Sequence, residues 1–343
     1  MSSVFVPERP LEWSQSLGDF LPTISWSPDG QSLVATGSLG PLFLVYASNG
    51  GVRRHWSGHQ LGSFAAAFSP TASVVASVGQ DGFARLWHPD EDAPRQSIPT
   101  TSKWIEQLAW APDGRRWAIG AGKEIQVISA DGTQIQRGTP RSSTVTALAW
   151  RADSKVLATT SYGEVYRWNV SSGETEPPLV WKTSMISLAW SPDQRWIAAG
   201  TQEQCVQIWE LPYRPGDELA MSGYSVKVRE LAWHYGSRFL ATADGTEVMV
   251  WDCQGSGPAG TAPRILTGHA QRINRLAYQR AGHLLASGSE DGQVLLWNAG
   301  KGTLPLRRYQ VPGAVSSLSW SPDGRYLAIG TKEGILALAV VDH

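Results

Sequence analysis

Short apolar runs alternate with turn residues along nearly the whole chain. One phrase carries the pattern. Apolar and small residues lead into a tryptophan, and Ser-Pro-Asp-Gly or a close variant follows. It reads Ile24-Ser25-Trp26-Ser27-Pro28-Asp29-Gly30 and returns around Trp110, Trp190 and Trp320, with weaker copies around Phe68, Trp150, Trp233 and Tyr278. Pro presets φ and Asp and Gly suit turn positions, so each copy predicts a strand running into a tight turn. A second apolar run follows, as in Tyr326-Leu327-Ala328-Ile329-Gly330, then a turn such as Glu290-Asp291-Gly292 or Gln80-Asp81-Gly82. A third run follows, such as Gln293-Val294-Leu295-Leu296-Trp297, and a more polar fourth closes the unit, as in Val52–Trp56, Ile135–Arg137 or Arg264–Thr267. Helical periodicity is nowhere sustained, so the reading is all-β.

The aromatic anchors Trp26, Phe68, Trp110, Trp150, Trp190, Trp233, Tyr278 and Trp320 are separated by 42, 42, 40, 40, 43, 45 and 42 residues. A second aromatic ends most third runs: Tyr46, Trp87, Trp168, Trp209, Trp251 and Trp297. Most of the 17 tryptophans thus belong to a repeat signature rather than to a ligand cage. Of the others, Trp13, Trp117 and Trp196 are expected to pack, and Trp56 and Trp181, flanking fourth strands, to be partly exposed.

Four strands in about 42 residues, with Trp closing the third strand and Gly-His opening the unit, resembles the WD-repeat family of β-propellers. The resemblance covers nearly the whole chain, although only Trp251-Asp252 is a literal Trp-Asp dipeptide. It implies one propeller domain over residues 1–343 with four antiparallel strands per blade. The eight copies predict eight blades, and seven blades with one degenerate unit outside the ring is the runner-up, set aside because all eight units contain three recognisable strands. The last unit has no segment for a fourth strand after Ile335–Val340, since only Val341, Asp342 and His343 follow. At the front, Leu11 to Gln15 lies where a fourth strand would fall. That segment is predicted to pair with Ile335–Val340, so that both termini build one blade and the ring closes.

Two units carry the full polar set of the family. Gly58-His59 is followed by Ser77, Asp81 and Trp87, and Gly268-His269 by Ser287, Asp291 and Trp297, with matching offsets. The resemblance implies a hydrogen-bond chain from indole through Ser and His to the turn Asp. A hydrolase triad is the competing reading. A nucleophile must be accessible and have an oxyanion site, whereas here the indole would occupy the serine oxygen and the set recurs in two units. The architectural role is therefore expected. The other six units lack the set and are expected to rely on packed aromatics.

The family commonly docks peptides or proteins on the end of the ring called the top. Offsets counted from the unit-opening position place Phe20, Trp104, Glu106, Lys227, Arg229, Arg272 and Asn274 there, and turn positions add Tyr162, Glu290 and Lys332. The basic residues cluster in units six and seven, and the aromatic anchor falls near unit three. A protein or peptide partner with an acidic or phosphorylated contact is expected there, with the chain a monomer or part of a hetero-complex.

Composition narrows this further. Hydrophobic residues are 42 % and charged residues 17 %, which excludes a disordered chain. Lys plus Arg is 29 against 30 Asp plus Glu, and basic residues reach only pairs such as Arg53-Arg54, so general electrostatic binding of nucleic acid is not expected. Two cysteines, Cys205 and Cys253, cannot make a disulfide framework or a four-cysteine metal site. No run of 18 apolar residues suggests membrane insertion, and Met1 to Pro10 shows no leader pattern, so a cytoplasmic location is expected. No metal-ligand spacing, phosphate loop or cofactor motif appears. The expected function is a non-catalytic interaction scaffold. The alternatives are a small-molecule or metal-responsive propeller and an enzyme with its site in the central channel.

Overall fold

The fold is taken from a computed structural model that describes residues 6, 8–102, 104–258 and 260–341. Much of the stretch read for a leader (residues 1–5 and 7) lies outside the described residues, as do Asp342 and His343. Each repeat unit forms an antiparallel meander. In the last, Val315–Trp320 pairs with Tyr326–Thr331, which pairs with Ile335–Val340. The turn phrase works as its chemistry demands. Ser321 Oγ donates to Asp323 Oδ1 (2.6 Å), Asp323 Oδ1 accepts from Arg325 N (3.0 Å), and Gly324 takes a φ of +71°. The same carboxylate-centred turn forms at Ser27, Asp29 and Gln31.

The N-terminal strand, Trp13–Ser16, is the outermost partner of Ile335–Val340, with Trp13 opposite Leu338 and Ser16 opposite Ile335. The Trp13 indole donates to Ala47 O (2.8 Å), so the strand is also tied to the first unit.

The expectation of eight blades is corrected. The strands form seven hydrogen-bonded sheets, six of four strands and one of six, and counting one sheet as one blade the ring has seven. Units four and five share the six-stranded sheet. Its strand Thr175–Trp190 runs unbroken for 16 residues. Residues 175–184 pair with Val156–Asn169, and residues 185–190 pair with Trp196–Thr201. The physical reason is the pairing of one extended run with two neighbours. At several other junctions the chain breaks on glycines with positive φ, such as Gly58 (+61°), Gly62 (+135°) and Gly223 (+96°), and between Ile98 and Ile105 it breaks without one. Between Thr175 and Trp190 the β-branched and aromatic residues Val180, Trp181 and Thr183 stay extended across the junction.

The anchor tryptophans peg neighbouring units together. The Trp26 indole donates to Ser319 O (2.9 Å), Trp110 to Ala67 O (3.0 Å), Trp150 to Ala109 O (3.0 Å), Trp190 to Ala149 O (3.2 Å) and Trp320 to Ala277 O (2.9 Å). In every case the acceptor is the residue just before the preceding unit's anchor. The Trp26 bond joins the first unit to the last and so locks the ring. The core lies between units, where Trp87, Trp117, Trp196, Trp209 and Trp297 are among the largest fully buried side chains. Trp56 departs from its expected exposure. It is 1 % exposed, stacks on Trp87 at 5.4 Å and donates to Glu91 O (2.8 Å).

Candidate functional site

Antiparallel meanders place the second-to-third turns and the segments entering each first strand at one end of the ring. On that rim, Lys227, Arg229 and Arg272 line a single depression of about 70 Å3 between units six and seven, together with Asn274, Arg275 and Glu230. Four cations therefore face one carboxylate. Lys227, Arg229 and Arg272 are exposed. Arg275 Nη1 donates to Glu230 Oε1 (3.2 Å), and Glu230 Oε2 accepts from Leu276 N (3.0 Å). Burial pushes the Glu230 carboxyl up, against the opposing pull of Arg275. Asn274 Nδ2 donates to Val315 O (2.9 Å), which fixes its side chain between units seven and eight.

Other residues expected on this rim are brought together differently. Lys332 Nζ donates to both Glu290 carboxylate oxygens (2.8 and 2.9 Å), so these two charges cancel each other. The Lys332 ammonium is the largest of the influences that hold the Glu290 carboxyl below its usual range. Trp104 is 57 % exposed, with its ring 6.0 Å from that of Phe64. Phe20 and Glu106 are exposed, and Tyr162 is 61 % exposed, its hydroxyl 3.5 Å from Lys182 O. The rim is thus basic at units six and seven and aromatic at units one to four. Leu39 and Leu61, both 79 % exposed, extend the apolar side. Leu61 holds a φ of +69°, a conformation unusual for a leucine.

The two polar sets lie inside the units. In unit two, the Trp87 indole donates to Ser77 Oγ (2.8 Å), Ser77 Oγ shares a hydrogen bond with His59 Nε2 (2.8 Å), and His59 Nδ1 lies 2.9 Å from Asp81 Oδ1. Arg85 completes the group: its Nη1 donates to Asp81 Oδ2 (2.7 Å) and lies 2.6 Å from His59 Nδ1. Burial, with the Arg85 charge adding, holds His59 below its ordinary value despite Asp81. In unit seven, the Trp297 indole and His269 Nε2 meet Ser287 Oγ in the same way (2.8 and 2.6 Å), but among the described residues His269 Nδ1 has no hydrogen-bond partner. Asp291 instead accepts from Gln293 N (3.0 Å). Burial drives His269 down to about 4. Both serines are fully buried at 0 % exposure, as no attacking nucleophile could be.

Several participants escaped sequence reasoning. Unit six does not rely on packed aromatics alone. The Trp251 indole donates to Tyr224 Oη (2.8 Å), which pairs with Thr242 Oγ1 (2.8 Å), while Asp244 accepts from Ser225 N (2.7 Å). Tyr224 thus replaces the histidine and Thr242 the serine, and Thr242 stands at the same offset as Ser77 from His59. That shared offset was the available signal. Arg275 was missed for another reason. The first strand of unit seven has a register shift between Ile273 and Arg275, and similar shifts occur at Ile105/Gln107, Met185/Ser187 and Val315/Ser317. Such a bulge re-aims side chains that counting by twos assigns to the wrong face. Among the described residues, no group of three or more His, Cys, Asp or Glu is placed to hold a metal ion. Among them also, no helix is long and apolar enough to cross a membrane.

Comparison with known proteins agrees with this architecture. The WD domain, G-beta repeat family model matches residues 50–88, 180–210, 260–298 and 304–338. A WD repeat-containing protein WDS homolog of Arabidopsis thaliana is 27 % identical over 70 % of this chain and 47 % of its own length. Cell division cycle 20.1, cofactor of APC complex, of the same plant is 28 % identical over 51 % of this chain and 39 % of its own length. The B-type cell cycle switch protein ccs52B of Medicago truncatula is 24 % identical over 85 % of this chain and 61 % of its own length. The chain therefore spans about two fifths to three fifths of the curated relatives it matches. A crystal structure of the computationally designed Ika8 protein superposes with a TM-score of 0.80 at 20 % identity, covering 95 % of this chain and 98 % of the other, a likeness of fold alone. With its recurring units, anchor tryptophans, ring closure and these matches together, the chain belongs to the WD-repeat family.

Proposed function

We propose that this chain is a non-catalytic adaptor that docks an acidic or phosphorylated protein segment on the top rim between units six and seven. The observation that carries the reading is the depression where Lys227, Arg229, Arg272 and Arg275 meet a single carboxylate, Glu230. An excess of cations in a concave, partly desolvated site draws anions strongly, and arginine binds carboxylate and phosphate through paired donors. The exposed Trp104, supported by Phe64, supplies a second contact for an apolar residue of the partner, since aromatic and arginine side chains dominate interface energetics. Two relatives are named as a cofactor of a complex and a cell cycle switch protein, roles compatible with protein binding.

The test is capture of partners from cell extract by the intact protein and by a variant with Lys227, Arg229 and Arg272 replaced by Ala. The expected result is loss of the salt-sensitive partners with unchanged thermal stability. An unchanged partner list overturns the reading.

A further inference from the structure

The opposite end of the ring holds a cavity that the adaptor reading does not use. It lies at the edge of unit seven, where the first-to-second turn meets the third-to-fourth connection, and its volume is about 580 Å3. Leu284, Leu296 and Leu306 form apolar walls, and His283, Asn298 and Arg307 supply polar groups. The size falls within the range of small-molecule pockets, about 300–1,000 Å3.

Hydrogen bonding decides what kind of polar group the cavity accepts. Gly236 N–H donates to His234 Nδ1 (3.1 Å), so that nitrogen carries no proton. The neutral His234 ring must then hold its proton on Nε2, which lies 3.0 Å from His283 Nδ1. His283 Nδ1 is therefore the acceptor, and the His283 proton sits on Nε2, where it is a donor. Burial and the neighbouring His283 hold His234 below its ordinary value, in keeping with a neutral ring. Among the described residues, Arg307 has no ion-pair partner, whereas the adjacent Arg308 is bound to Glu8 (2.8 Å). The Gln279 amide at the cavity wall is spent: its nitrogen donates to Gly324 O (2.8 Å) and its oxygen accepts from Leu284 N (3.1 Å).

One free cation and an imidazole N–H thus stand beside three leucines. We propose that this cavity binds an aliphatic monocarboxylate, with the carboxylate on Arg307 and His283 Nε2–H and the chain against Leu284, Leu296 and Leu306. One free cation suits a single negative charge better than a dicarboxylate or a phosphate.

The test is calorimetric titration of the full chain with octanoate, octanol and octylammonium. Octanoate is expected to bind saturably at one site, with octanol and octylammonium at least about tenfold weaker. Arg307→Ala and Arg307→Gln, at an edge-strand position, are expected to weaken octanoate about tenfold or more without changing thermal unfolding. Absence of saturable octanoate binding, equal binding by both variants, or equal binding of octylammonium overturns the proposal. So does a peptide ending in Leu-Leu with a free carboxylate that binds where octanoate does not. The site is at the other end of the ring from the basic rim, so its failure leaves the adaptor reading untouched.

Discussion

Units two and seven carry the same polar residues at the same offsets, yet only one forms a complete network. In unit two, Asp81 is held by Arg85 and lies against His59. In unit seven, Leu295 stands where unit two has Arg85, and His269 Nδ1 is left without a partner. The indole–Ser–His half of the chain is common to both because all three groups sit on packed strands. The Asp half depends on a turn carboxylate that has other acceptor duties. Where a guanidinium from the third strand engages it, the carboxylate stays beside the histidine. Where a leucine stands instead, the carboxylate serves only its own turn.

That difference can be pressed hardest at Arg85. Arg85→Leu turns unit two into a copy of unit seven, and because Arg85 and Asp81 are only 15 % and 7 % exposed, it should cost about 3 kcal/mol. Chemical denaturation followed by intrinsic tryptophan fluorescence measures it, and a change below about 1 kcal/mol would mean the arginine is dispensable.

The histidines come next. His59→Ala strands groups on both sides and should cost about 2–3 kcal/mol, whereas His269→Ala also removes an already unpaired nitrogen and should cost about 1 kcal/mol. Equal losses would show that Asp81 adds nothing to unit two.

The mildest probe is pH. His269 is held neutral at about 4 from an ordinary 6.5, so the unfolded chain binds the extra proton first. Its contribution is present above pH 6.5 and is lost as pH falls towards 4, by at most about 1.4 kcal/mol per pH unit. His269→Gln should flatten that slope, and a slope unchanged by this substitution would assign the acid sensitivity elsewhere.

How much of this was legible in the residues varies by level. The strands, turns and anchors were readable because each is encoded within a few neighbouring positions, such as the Ser-Pro-Asp-Gly turn at residues 321–324. The shared sheet of units four and five was not. Continuity through Thr175–Trp190 depends on one run pairing first with Val156–Asn169 and then with Trp196–Thr201, which repeat counting passes over. On the candidate rim, Lys227, Arg229 and Arg272 could be placed by offset, and they do line one depression. Glu290 and Lys332 were read as rim residues from turn positions, but nothing local could tell that they neutralise each other across 42 residues.

The sequence by itself determined the repeat, the strand-forming segments, the turn chemistry and the identity of the residues that pack between units, because these follow from periodicity and from the conformational preferences of single residues. The tertiary structure decided how many separate sheets the ring holds, which polar set is complete and which surface charges remain free. Those outcomes rest on contacts between residues tens to hundreds of positions apart, such as the Trp26 indole on Ser319 O, and such contacts exist only once the ring has closed.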